Sequence, residues 1–221
     1  MNVLIFGATG MVGQGVLREC LLDADVKLVQ AIGRTPTGVQ HAKLRDVVHS
    51  DLFHYEAIEA SLTEFDACFF CLGVTSSGKA EADYARVTYG ITMAAAETLC
   101  CQNPRMTFIY VSGAGTDSSE RGRIMWARVK GKTENALLRL PFAAYMFRPG
   151  IIEPLDGIKS KTNVYQIFYT LGKPLFPVIH LFFPNQIVTT RQIGRAMLNI
   201  ARISWPNRVM EIKDIRAAAQ S

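Results

Sequence analysis

The chain has 221 residues, 49% hydrophobic and 19% charged, with a formal net charge of +5. That length and apolar content suffice to bury a sizeable core, which excludes a disordered chain and predicts one domain over residues 1–221. The positive residues are spread along the chain except for Arg121, Arg123, Arg128, Lys130 and Lys132, so no nucleic-acid stripe is expected; that cluster reads as a solvated helix face or as an anion site for a phosphorylated cofactor.

The opening MNVLIFGATG lacks a basic region before its apolar run and a small-residue cleavage site after it, so it is expected to be a buried strand and not an export signal. Five cysteines, Cys20, Cys68, Cys71, Cys100 and Cys101, show no framework spacing. With no export signal, they predict reduced thiols and a cytoplasmic location. Cys68 and Cys71 spell CxxC inside a strand-like run, where an offset of three points the thiols to opposite faces; structural thiols, and no metal site, are expected.

In chain order, β-branched or aromatic runs predict strands at NVLIF (2–6), VKLVQAI (26–32), RDVVH (45–49), DACFFCL (66–72), MTFIYV (106–111) and AAYMFR (143–148). Helical periods fill 11–22, 80–101 and 122–140. The alternation predicts the α/β class, with a doubly wound parallel sheet covered on both faces. From Ile151 the rhythm breaks, and residues 151–189 are expected to form a cap-like insertion, a small C-terminal substrate region. Within it NVYQIFYTLGKPLFPVIHLFFP (163–184) is aromatic-rich, but Lys173, Pro174, Pro177 and His180 interrupt it short of the roughly 18 residues a membrane span needs. A lid over a pocket, a peripheral membrane contact and a partner surface all remain open for it. TTRQIGRAMLNIA (189–201) offers threonine caps and a helical period, and a short tail follows.

The chemistry-bearing stretch is GATGMVGQG, which sets Gly7, Gly10 and Gly13 after the first strand and at the mouth of the first helix. Gly7 serves the turn, Gly10 lets backbone approach a diphosphate, and Gly13 lets the helix pack near the strand. The helix N-terminus then faces the phosphates with free N–H groups. Gly7, Thr9, Gly10, Met11, Val12 and Gly13 are the candidate diphosphate-binding residues. The second strand ends Ala31, Ile32, Gly33, Arg34, Thr35, with no acid for ribose hydroxyls. Arg34, with Thr35 beside it, instead offers a guanidinium for a 2′-phosphate, predicting NADP(H) over NAD(H); the bland alternative is a solvated loop arginine. Asp51 and Leu52 suit an adenine amino group and ring face, or simply begin a turn.

On these residues the chain resembles the atypical short-chain dehydrogenase/reductases, especially the Tat-interacting, oxidoreductase-like branch, over residues 2–201. The resemblance rests on GATGMVG, the GR pair at 33–34, CLGVTSSGKA (71–80), VSGAG (111–115), VKGKTE (129–134) and RPGIIEP (148–154). It implies a Rossmann fold with Leu72, Gly73, Val74 and Thr75 along the cofactor ribose, and with Arg148, Pro149 and Gly150 near the nicotinamide. It further implies Ser112 as the substrate-orienting serine and Lys130 as the lysine of a YxxxK pair, bonding the nicotinamide ribose. The tyrosine of that pair is Trp126 here, whose indole N–H donates a hydrogen bond but releases no proton at useful pH.

Four accounts of Trp126 stay open: a packed aromatic in a drifted helix; the wall of a site reducing a flavin or quinone; a site completed by Tyr84, Tyr89, Tyr165 or Tyr169; or a protein that only binds NADPH and reports to a protein partner. The leading expectation is an NADP(H)-dependent oxidoreductase passing hydride to a flat small-molecule acceptor, with Ser112, Lys130 and Trp126 as its active-site group. A catalytically inactive NADPH sensor is the alternative. A nucleotide-sugar epimerase ranks third, since the chain lacks both the tyrosine and the ribose-binding acid.

Overall fold

The computed structural model describes residues 1–158 and 186–221. Strands β1 (Asn2–Phe6), β2 (Leu28–Gly33), β3 (Leu44–Val48), β4 (Ala67–Phe70), β5 (Thr107–Val111) and β6 (Ala143–Phe147) fall where the apolar runs predict them, with ends that agree to within two residues. They pair parallel in the order β3-β2-β1-β4-β5-β6. A short strand β9 (Val209–Met210) joins the far edge against β6, too brief to announce itself by pattern. Buried strands such as ACFF of β4 are apolar on both faces because helices cover both. Cys68 packs into one of the two resulting cores and Cys71 against the other, so the opposite-face expectation holds.

Helix α1 (Met11–Leu22) follows β1, and α4 (Met125–Leu137) follows β5. The predicted 80–101 helix is divided into α2 (Glu81–Ala85), a π-helical stretch (Arg86–Gly90) and α3 (Ile91–Gln102). Beyond β6, β7 (Ile151–Glu153) pairs parallel with β8 (Ile187–Thr189), bracketing the region expected as a cap. The 163–184 segment lies outside the described residues. Helix α5 (Thr190–Arg202) opens on a complete capping box, Thr189 accepting from the Gln192 N–H, as its threonines predict. Helix α6 (Ile212–Ala218) closes the chain. Among the described residues no helix is long and apolar enough to cross a membrane.

Strand order reverses at β1, whose neighbours are β2 and β4. Crossovers on its two sides leave in opposite directions, which opens a crevice beyond the carboxyl ends of the strands. The loops after β1, β2, β4 and β5 all end on that edge.

Candidate active site

At the crevice, Gly7 adopts φ +77°, and a side-chain carbon there would sit 2.7 Å from the Leu72 backbone. At Gly13 the same carbon would lie 2.1 Å from the Gly7 carbonyl oxygen. Packing within the protein therefore requires both glycines. Gly10 differs: its N–H donates to the Gly7 oxygen at 2.9 Å, and an added carbon would meet only that oxygen, at 3.3 Å, within 4 Å. Its absent side chain leaves space for something outside the chain. Gly10 is the extended N-cap of α1 and no side chain caps the helix, so the amides of the first turn remain available to an anion. Gln14 Nε2 donates to the Thr9 carbonyl at 3.0 Å and steadies the loop.

From this nest a groove of about 420 Å³ runs over the end of β2, lined by Gly7, Ala8 and Thr9 and, farther along, by Arg34, Thr35, Thr37, Asp46, Leu52 and Leu72. Arg34 is exposed and has no hydrogen-bond or ion-pair partner among the described residues. No acid ends β2 itself, but one reaches this place from the neighbouring strand. Asp46 comes from β3, level with Ala31 in the β2–β3 ladder, and lines the same groove. Leu52 is buried at the groove, whereas exposed Asp51 turns into its own loop, accepting from the Phe53 N–H at 3.0 Å and facing His54 Nδ1 at 2.9 Å. That contact holds the Asp51 carboxyl below its usual range and raises His54. Gly73 and Val74 stand exposed on the loop after β4.

At the β5 end, the buried Ser112 hydroxyl donates to the Phe147 carbonyl at 3.0 Å. Lys130 is half-buried on α4 and its ammonium donates to the Ser112 carbonyl. Burial lowers its pKa to about 8, with Glu134 pulling the other way. One turn earlier, Trp126 is half-buried, and a side-chain carbon at Gly115 would lie 3.6 Å from its Cη2. Helix α4 holds Trp126 and Lys130 a turn apart beside the 112–115 loop. Tyr84 is buried in the core near Tyr110, and the Tyr89 ring receives Lys132 at 4.9 Å, two residues around the helix from Lys130. Tyr165 and Tyr169 lie outside the described residues.

Arg148 is the side chain that the resemblance sets near the nicotinamide. Its guanidinium is committed to protein partners: Nε donates to Glu134 at 3.0 Å, Nη1 to Glu211 at 3.2 Å and Nη2 to the Ser118 hydroxyl at 2.5 Å. Glu134 is fully buried, and the pairing holds Arg148 above its ordinary pKa. The side chain expected near a nicotinamide thus clamps α4, α6 and the 113–120 loop together. The Pro149 carbonyl is also taken, by the Ala114 N–H at 2.8 Å, and a side chain at Gly150 would strike Ile212 at 2.7 Å. In the basic cluster, Arg128 pairs with Glu81 at 2.6 Å. Among the described residues no group of acids, cysteines and histidines could hold a metal ion.

A parallel sheet reversing at β1, with an open glycine nest at the reversal, defines a Rossmann-type dinucleotide-binding protein. The NAD dependent epimerase/dehydratase family model matches residues 3–120, and the chain belongs to that family. The fold is that of the B. bronchiseptica enzyme WbmF in complex with NAD+ (TM-score 0.69, 16% identity, covering 99% of this chain and 76% of that one). It is equally that of a Burkholderia thailandensis oxidoreductase of the short chain dehydrogenase/reductase family (TM-score 0.68, 15% identity, 98% and 92%). Among curated proteins, the chain is 26% identical over 212 residues to "Protein FMP52-1, mitochondrial" of Scheffersomyces stipitis, covering 93% of this chain and 90% of the relative. It is 30% identical over 159 residues to "Protein fmp52, mitochondrial" of Aspergillus fumigatus, covering 68% and 66%. These names overturn the cytoplasmic expectation. The expectation rested on unpaired thiols and a strand-like opening, neither of which singles out the cytoplasm.

Proposed function

We propose that the chain is an NADP(H)-dependent oxidoreductase that passes hydride to a flat acceptor of the quinone or flavin kind. Its motifs place it nearest the Tat-interacting, oxidoreductase-like branch, and its compartment follows its mitochondrial relatives. The observation that carries the reading is the alignment, on one sheet edge, of an open nest, an unpaired Arg34 and the Ser112–Lys130–Trp126 group.

The residues fit a dinucleotide: Gly10 leaves space that the protein itself does not fill, and the first-turn amides of α1 have no cap. Gly7, Thr9, Gly10, Met11, Val12 and Gly13 hold its diphosphate. Arg34 and Thr35 meet the 2′-phosphate, Leu52 and Leu72 flank the adenosine, and Gly73, Val74 and Lys130 line the path of the nicotinamide half. When bound, the cofactor supplies the hydride. Ser112, whose hydroxyl is oriented by the Phe147 carbonyl, orients the acceptor. Trp126 stacks on the acceptor's face and contributes an N–H donor, with Gly113 and Gly115 packed close beside Lys130 and the indole ring. A quinone or flavin draws its proton from water, so no tyrosine is required.

One observation favours the second reading, an NADPH-binding sensor: the position one turn before Lys130 carries Trp126, which has no hydroxyl. The test is calorimetry with NADPH, followed by NADPH oxidation assays with quinones and flavins on the natural chain and on Trp126→Tyr. Turnover by the natural chain supports the oxidoreductase. Binding without turnover by either chain leaves the sensor, and absence of binding removes both.

A further inference from the structure

The groove that presents Arg34 also presents Asp46, and neither charged group is spent on an ion pair. Arg34 has no partner among the described residues, and Asp46 forms no ion pair there. The two carry opposite charges in one cavity without pairing with each other. Asp46 is nonetheless fixed in place, because the loop after Arg34 folds back over β3. The Thr37 N–H donates to both carboxylate oxygens, at 3.1 and 3.2 Å, and the Thr37 hydroxyl donates at 2.9 Å. Val39 N–H in turn donates to the Thr37 hydroxyl at 3.2 Å, tightening the same turn. The acid is therefore a positioned charge at the place where the adenosine ribose of a dinucleotide would lie, and not a freely swinging surface group.

We infer that Asp46 is a specificity-determining residue that opposes Arg34, so that cofactor choice in this chain is a balance between a guanidinium attracting a 2′-phosphate and a carboxylate repelling it. This rests on the cofactor reading above and sharpens it. Arg34 tips the balance towards NADP(H), and Asp46 keeps the preference shallow, leaving NAD(H) a competent ligand. Because Asp46 is exposed, water and salt screen its field, so its share is a modest factor and not an exclusion.

Asp46→Asn is a clean probe, since an amide oxygen still accepts from both Thr37 donors while the charge is gone. Calorimetric titrations with NADPH, NADH and the minimal probe 2′,5′-ADP are compared for the natural chain, Asp46→Asn and Arg34→Ala. Asp46→Asn is expected to tighten NADPH and 2′,5′-ADP by about three- to tenfold, with NADH unchanged or weaker. The gain should shrink as salt is raised. Arg34→Ala is expected to weaken NADPH about tenfold or more and to leave NADH within about twofold. An unmoved NADPH-to-NADH ratio in Asp46→Asn, alongside a moved ratio in Arg34→Ala, overturns the inference and spares the cofactor reading. No binding of any of the three probes to the natural chain overturns that reading instead. If Asp46→Asn does not fold, Asp46→Ser repeats the charge removal with a small acceptor, and the same ratio decides.

Discussion

The two ends of the crevice are shaped by different forces. Around Gly7 and Gly13, main chain is pressed on main chain, and a single added carbon would fall within 2.7 Å of backbone atoms. Around Ser112 the shape is held by side chains reaching between elements: Lys130 to the Ser112 carbonyl, and Arg148 to Glu134, Glu211 and Ser118. Close backbone packing needs no partner but tolerates no bulk. An ion-pair clamp tolerates some bulk but fails when either partner is removed. In the proposed reading the rigid end receives the diphosphate, which every dinucleotide shares. The clamped end is where Trp126 stands, and where changes of side chain can change chemistry.

Breaking the clamp should have the largest effect. Arg148→Met leaves the Glu134 carboxylate buried without its cation, and is expected to cost about 3–5 kcal/mol in denaturant unfolding. Combining it with Glu134→Met removes the stranded charge, so the double variant should recover much of that loss. If the single variant unfolds like the natural chain, the clamp does not hold this end together.

At the rigid end the glycines should divide into two kinds. Gly13→Ala forces a carbon against the Gly7 carbonyl and is expected to cost on the order of 1–3 kcal/mol of stability. Gly10→Asp should instead fold with stability within about 0.5 kcal/mol of the natural chain, because aspartate is a favourable N-cap and the site has room. Its carboxylate would face the cofactor diphosphate, so NADPH affinity measured by calorimetry should fall by more than about tenfold. Equal stability losses in the two variants would contradict the division between a packing glycine and a ligand glycine.

This difference also explains what the sequence made legible. The rigid end is written locally: β1, the glycine spacing and the start of α1 lie within residues 2–22, and adjacent residues create the constraint that each glycine satisfies. The α4 frame is local too, since Trp126 and Lys130 are one helical turn apart. The clamp is not, because Glu134 and Arg148 meet only when α4 packs beside the end of β6, and RPG invites assignment of Arg148 to a ligand. Asp46 escaped for the same reason. Its place in the groove depends on the β2–β3 register and on Thr37 folding back, neither of which has a signature in RDVVH. The two-residue β9 and the π-helical interruption at Arg86–Gly90 are tertiary adjustments with no periodicity of their own.

The last test probes the clamped end through one proton. Burial lowers Lys130 from 10.5 to about 8, so below pH 8 folded and unfolded chains both carry the proton and the cost of burying the charge is constant. Between about 8 and 10.5 the unfolded chain keeps a proton that the folded chain has released. Raising the pH through that window therefore favours the folded state. Relative to Lys130→Met, the unfolding free energy of the natural chain should rise across it. If the proposed site holds, cofactor binding should move the other way, because the ammonium that donates to the Ser112 carbonyl is then the group offered to the nicotinamide ribose. NADPH affinity should weaken as the pH climbs past about 8, and Lys130→Met should lose that dependence. Opposite slopes for stability and affinity, both abolished by one substitution, identify Lys130 as a buried charge kept for the ligand. Slopes of the same sign would make it a structural lysine, and would move the candidate active-site group away from α4.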